Sequence, residues 1–534
     1  IEAWGLVATL KVCVGMFAIA LWDGQEKTLS LSRDRFGEKP LYYGWQNGVL
    51  LFGSELKAIG AHPSFERRVN RDAVALLLRY NYIPAPYSIW EGIYKLPQAT
   101  SIILRTGQTG AKPEAYWSLS DVAAAGQQSV FTGAETEAVE SLHTVLSQSI
   151  RGQMLADVSL GALLSGGIDS SMVVALMQSQ SNRPVKTYSI GFDEKQFDES
   201  GYARDVAKHL GTEHTELYMS AKDVLNAVTN MPSMYDEPFA DSSQLPTSLV
   251  MTLARQHVTV ALSGDGGDEL FGGYNRYLLA PKIWNVVRLL PIALRQTVCR
   301  ILLSVSPEHW DKYAGPIAKL LGQNMLGNKI HNLSNRIASV KSFNELIHAL
   351  ATEWNGYTSL VLGGNESACY SNQYKQWPHI SDQASRTMFV DAMTYMPDDI
   401  LVKVDRAAMA VGLETRAPFL DHRVAELAWT LPIGMKIQNG NGKHILRQVL
   451  YKYVPAHLID RPKMGFSIPV DLWLRHELRD WAEDLLSSDR LTREGFFDVE
   501  MIRSTWQSHL NGTRNSGSRL WSVLMFQAWL QEQS

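Results

Sequence analysis

The chain has 534 residues, too many for one ordinary domain, so about two to four are expected. With 45% apolar and 19% charged residues it has material for a large core, which excludes wholesale disorder. A net charge of −4 gives no chain-wide electrostatic footprint for nucleic acid or a membrane surface. Cys13, Cys299 and Cys369 lie far apart and form no CxxC pair, so they read as reduced, packed thiols of a cytoplasmic enzyme.

Residues from about Cys13 to Ala58 predict strands, GMFAIALWD, KTLSLSRD and VLLFGSE, separated by turns such as Asp23-Gly24 and Asn47-Gly48. The apolar stretch Val12 to Trp22 is too short to cross a bilayer and is bracketed by Lys11 and Asp23, so it reads as a buried strand. Pro84, Pro86 and Pro97 then favour an extended crossing segment over helix. Residues 121–134, rich in Ala, Gly, Ser and Gln, read as a linker.

From Glu135 the pattern changes. AVESLHTVLSQSIRGQM predicts an amphipathic helix, VSLGALL a strand, IDSSMVVALMQSQ a helix and KTYSIGF a strand. The helix SGYARDVAKHLG and the strands EHTELYM and VTVALSG follow. This alternation predicts an α/β fold with a doubly wound parallel sheet. After Arg276 strand signals fade, and a helical C-terminal part is expected.

Two loops carry the chemistry. In LLSGGIDSS, Ser165, Gly166 and Gly167 sit between a strand and a helix N-terminus, where backbone N–H groups and the helix dipole suit a phosphate or pyrophosphate. The Ser165 and Ser170 hydroxyls add donors. Asp169 would repel bare phosphate and makes sense as a Mg²⁺ ligand. No lysine follows the glycines, so this is not the kinase-type P-loop. In LSGDGGDELFGGYNRY, glycines and acids follow the strand VTVALSG, which brings Asp268 to the same sheet edge, where it can share a metal with Asp169. In PDDILVKVDRAAMAV, Met396, Ile400, Val404 and Met409 suit a buried helical face. Asp399 and Arg406 are weaker candidates for substrate contact. The histidines show no zinc spacing.

SGGIDSS, SGDGGDELFGGY, PDDILVKVDRAAMAVGLETRAPFLDH and NGKHILR together resemble glutamine-hydrolysing asparagine synthetases. SGGIDSS alone is similar to the pyrophosphate loop of ATP pyrophosphatases. RDRFGEKPLYYG and SELKAI resemble the later part of that family's class II, Ntn-type glutaminase domain. The resemblance implies three parts: residues 1–120 from the glutaminase domain, the linker 121–134, and a synthetase domain over 135–534. It implies that Asp169 and Asp268 bind Mg²⁺ and that Leu163, Ile190, Ser263 and Gly264 line the ATP, beside Ser165, Gly166, Gly167 and Ser170. Asp265 falls where some members carry a glutamate tied to adenylate formation. Lys443 matches the lysine that stabilises charge at the reacting acyl-phosphate, as a closed site that builds anionic charge requires.

The implied reaction is ATP-dependent activation of a carboxylate, aspartate first among candidates, and amidation by ammonia with release of AMP and pyrophosphate. Small-molecule substrates, no nucleic-acid or membrane partner, and a homodimer follow as expectations. The family's catalytic cysteine and glutamine-gripping segments precede the position of Ile1, so residues 1–534 are expected to retain the receiving half of an ammonia-transfer design. A paralogue acting on a sugar uronate or β-lactam precursor, or an inactive nucleotide-binding assembly partner, are the alternatives.

Overall fold

The computed structural model describes all residues except 106–109, 193–199, 220, 314–325, 355, 462–467 and 534. The N-terminal part contains β1 (Ala18–Asp23), β2 (Thr28–Arg33), β3 (Tyr42–Gln46), β4 (Val49–Gly53), β5 (Ile93–Lys95), β6 (Thr100–Arg105) and β7 (Glu114–Ala115). They form two antiparallel sheets, β1-β2-β6-β7 and β4-β3-β5. Asn47 and Gly48 both have positive φ, 50° and 75°, the twist that lets a tight turn join β3 to β4.

The stretch Val12 to Trp22 departs from expectation. A helix covers Leu6–Val12, Gly15 takes a left-handed φ of 110°, and the strand starts only at Ala18. β1 is the edge of its sheet, which leaves Trp22 59% exposed. Cys13 lies outside any strand; it ends the helix, and its carbonyl accepts a 2.6 Å bond from Arg35 Nη1. The supposed linker also has structure: Leu119–Gln128 is a helix seated on His422–Thr430, so close that a Cβ on Gly126 would strike the Trp429 carbonyl.

The second half is built on a parallel sheet. Its strands are β8 (Leu160–Leu163), β9 (Lys186–Phe192), β10 (Glu213–Met219), β11 (Val260–Leu262) and β12 (Glu414–Arg416), in the order β10-β9-β8-β11-β12. The crossover helices Ile168–Ser179 and Ser200–Leu210 pack on one another beside the sheet, with Glu135–Gln153 against the first of them. Past β10 the chain reverses direction across the sheet, and Gln244–Arg255 and Leu401–Met409 cover the other face. Beyond β12 the described chain is helical with short turns. No described helix is long and apolar enough to cross a membrane.

The two halves share one core. The helix Arg71–Tyr80, capped by the Asn70 side chain, is buried from Ala73 to Tyr80 and packs on the C-terminal helix Gly517–Glu532. Trp90 meets Trp529 with ring centroids 5.2 Å apart. Charges also cross the seam. Lys39 pairs with Asp405 at 2.9 Å, Lys95 with Glu237 at 2.5 Å, and Arg406 reaches Glu55 at 3.1 Å and Asp236 at 3.5 Å. Arg406 therefore holds the seam.

At the end of the 71–80 helix, His348 Nε2 bonds Tyr80 Oη at 2.8 Å, while its Nδ1 lies 2.6 Å from Tyr374 Oη and 2.9 Å from Arg79 Nη2. Burial, reinforced by the Arg79 charge, lowers the His348 pKa to about 3. The folded state thus binds fewer protons than the unfolded chain below the ordinary histidine value of about 6.5. Stability should fall as pH drops through that window, by about 2 kcal/mol from this group at about pH 5. Urea melts at about pH 7 and about pH 5 test this. His348→Gln should flatten the loss, and equal slopes for both proteins would remove His348 as its source.

Candidate active site

The order reversal between β8 and β11 opens a crevice at the carboxyl end of the sheet, the usual ligand position in open α/β folds. Ala162 pairs with Leu262, so both motif loops leave the sheet side by side. The first loop is tied to itself: Ser165 N–H donates to Ser170 Oγ at 3.2 Å, the two hydroxyls lie 3.0 Å apart, and Gly167 N–H donates to Ser165 Oγ at 3.3 Å. These bonds fix the turn at the N-terminus of the 12-residue helix Ile168–Ser179.

The second loop lies directly on the first. A Cβ on Gly264 would come within 2.8 Å of both the Asp169 Cβ and the Ser170 nitrogen. One on Gly267 would approach the Asp169 carboxylate to 2.5 Å. A side chain on Gly273 would collide with Asp268 Oδ1 and Lys443 Cε. The glycines are therefore a packing requirement: they let three charged side chains meet.

Lys443 is where they meet. It has a left-handed φ of 60°, starts the helix His444–Leu450 and is 5% exposed. Its Nζ bonds Asp169 Oδ2 and lies 2.7 Å from Asp268 Oδ1. Burial alone would lower this ammonium, but Asp169 and Asp268 together hold it above the ordinary lysine value. Two carboxylates converging on one cation also form the kind of donor pair that holds Mg²⁺, which takes one or two protein carboxylates and fills its other positions with water and phosphate oxygens.

The cavity around this cluster has a volume of about 720 Å³. Leu163, Ser165, Gly167, Asp169, Ser170, Ile190, Ser263, Gly264, Asp265, Asp268 and Lys443 all line it. Gly166 does not. Its φ of 71° turns it against Tyr202 and Ala203 of the neighbouring helix. Burial raises the Asp265 carboxyl, with Ser263 and Lys403 acting in the opposite sense. Burial and the Asp268 charge push Glu269 up to about 7, and Tyr274 Oη donates to it at 2.8 Å.

Sequence reading missed one wall. Lys403 Nζ bonds Asp241 Oδ2 at 2.7 Å and Ser243 Oγ at 2.8 Å. Burial works to raise Asp241, but Lys403, Ser243 and Asp399 outweigh it and leave its pKa at about 2. Burial and the Asp241 charge raise Asp399 far above an ordinary carboxyl. Asp241, Ser242 and Tyr395 also line a second cavity of about 350 Å³, which contains Asp399, Arg276 and Asp391. Arg276 pairs there with Asp391 at 2.7 Å, its guanidinium 4.8 Å from the Tyr274 ring centre and 4.6 Å from that of Tyr395. The sequence marked this wall only through Asp399, a candidate for substrate contact that does line the second cavity, while Asp241, Ser243 and Lys403 went unnoticed.

The profile of the Asparagine synthase family matches residues 141–531, and that of the Glutamine amidotransferase domain residues 1–117. Asparagine synthetase (glutamine-hydrolyzing) 1 of Bacillus subtilis is 29% identical over 519 residues, covering 96% of this chain and 77% of that protein. A putative asparagine synthetase (glutamine-hydrolyzing) of Mycobacterium tuberculosis is 30% identical over 541 residues, covering 98% and 78%. Amidase chry2 of Gibberella zeae is 25% identical over 528 residues, covering 93% and 76%.

Proposed function

Because the chain belongs to the asparagine synthase family, we propose that it is a carbon–nitrogen ligase that adenylates aspartate and amidates it with ammonia drawn from glutamine. The observation that carries this reading is the Lys443 ammonium between Asp169 and Asp268, at the mouths of two loops leaving adjacent parallel strands.

In this reading the Ser165–Gly167 turn and the N-terminus of the Ile168–Ser179 helix hold the pyrophosphate of ATP. Leu163 and Ile190 supply apolar wall for the nucleoside, and the backbone at Ser263 and Gly264 bounds it. A Mg²⁺ held by Asp169 and Asp268 would neutralise the phosphates. The acid's carboxylate oxygen attacks the α-phosphorus, and the bond to pyrophosphate breaks. Ammonia then attacks the acyl carbon, AMP leaves, and the nitrogen loses a proton. Both steps build negative charge beside Lys443, in a water-poor site where a fixed cation acts most strongly. Asp265 lies where it can bear on the adenylation step. The adjoining cavity carries groups of both signs, the Arg276–Asp391 pair and the ionised Asp241, which suits an amino acid bearing both charges.

The test is AMP release with ammonia as nitrogen donor, screened across aspartate, uronates and β-amino acids. Aspartate should give AMP and asparagine in equal amounts. AMP with another acid alone would move the chain to the paralogue reading, to which the similarity to amidase chry2 also points. No AMP with any acid would leave a nucleotide-binding assembly partner.

A further inference from the structure

The helices Asn275–Val287 and Ile292–Ser304, 13 residues each, are joined by a short turn through Leu289 and Leu290. The second of them is amphipathic the wrong way round. Its buried residues are Arg295 and Cys299. Leu294, Val298 and Ile301, spaced four and three apart and so on one stripe, face solvent. Arg295 is committed inward: it donates to the carbonyls of Val287 at 3.3 Å, Ala338 at 3.4 Å and Val340, which ties the turn and fixes the apolar stripe outside. The turn continues that surface, with Val286 64% and Leu289 75% exposed.

Charge along the segment is as uneven as its polarity. No Asp or Glu occurs from Phe271 to Pro307, in a chain whose net charge is −4. Lys282, Arg288 and Arg300 are exposed on the two helices and their turn. So many exposed large apolar side chains on one short helix pair are unusual on a freely soluble surface. The basic rim argues against pairing with a second copy of the chain, because a symmetric contact brings like against like with no acid in the segment to compensate. The helices are far too short to cross a bilayer.

We propose that this face docks on an anionic lipid surface. Leu289 and the Leu294–Val298–Ile301 stripe enter the headgroup boundary, while Arg288, Arg300 and Lys282 reach lipid phosphates. The helix Asn275–Val287 begins at the active-site cavity, whose wall includes Asn275 and Leu278.

The test is vesicle flotation of the full chain. Wild type should float with phosphatidylcholine vesicles carrying about 30% phosphatidylglycerol and remain largely unbound with pure phosphatidylcholine, the difference shrinking as salt rises. Leu289→Glu with Ile301→Glu should cut partitioning about tenfold or more while leaving the melting temperature unchanged, since both side chains are exposed. Arg288→Glu with Arg300→Glu should remove the preference for anionic lipid. Wild type that ignores both vesicles, or apolar-to-acidic variants that bind as well as wild type, would overturn the proposal. So would a lipid-free dimer that the same variants dissociate, because the face would then join copies of the chain.

Discussion

Asp169→Asn is expected to abolish acid-dependent exchange of pyrophosphate into ATP while leaving the fold intact. The substitution keeps the shape of the side chain and one acceptor oxygen, but removes the charge that draws Lys443 and a divalent cation. Losing even an outer partner of a metal ligand costs about 10–100-fold, so loss of a ligand should exceed about a hundredfold. The structural cost should be small, because Lys443 keeps Asp268 as its counter-ion. Asp169 lies in the first turn of its helix, where a carboxylate contributes about 0.3–1 kcal/mol through the helix dipole. Circular dichroism together with the exchange assay separates the two effects. Near-wild-type exchange would show that the carboxylate is not a metal ligand.

Lys443→Ala should lower turnover by about 10²–10³, the usual cost of losing one preorganised charge at a developing oxyanion. ATP binding should change far less, and equal losses in both would make Lys443 a ground-state phosphate contact. The geometry adds a second readout. Without the ammonium, Asp169 and Asp268 lose the cation they share, and stripping a buried ion cluster of one partner typically costs about 3–5 kcal/mol. The variant should therefore melt early without metal and be restored by Mg²⁺ alone, whereas wild type should respond little. A variant as stable as wild type, with no response to Mg²⁺, would mean that the two carboxylates do not share a cation site.

The site's loops were legible because their chemistry leaves marks in sequence. Gly264, Gly267 and Gly273 stand where any side chain would enter Asp169, Asp268 or Lys443. β9 and β10 were read to the residue, because each is a compact run between clear turn signals. Other features were not legible. β12 has only three residues and exists because β11 offers it an edge. Met409 fits the periodicity of a buried face but falls at the helix end and is 44% exposed. Asp241, Ser243 and Lys403 come together from segments far apart in sequence, and each looks ordinary in its own window. The Leu119–Gln128 helix is poor in large apolar residues because its seat on the 422–430 helix demands small ones.

The charged seam between the halves bears on how this family can be recombined. A chimera that joined the N-terminal part of a relative to this chain near residue 118 would strand Asp405, Arg406, Asp236 and Glu237 opposite foreign side chains. It would also cut through a shared hydrophobic core. Lys39, Glu55 and Lys95 would have to travel with their partners as one inherited block. Glu38, the neighbour of Lys39, feels the charge of both Asp265 and Asp405, so the block reaches the edge of the cavity that Asp265 lines. Exchangeable parts in this architecture are therefore defined by buried ion pairs, and a cut in the visible connector between the sheets does not yield an interchangeable module.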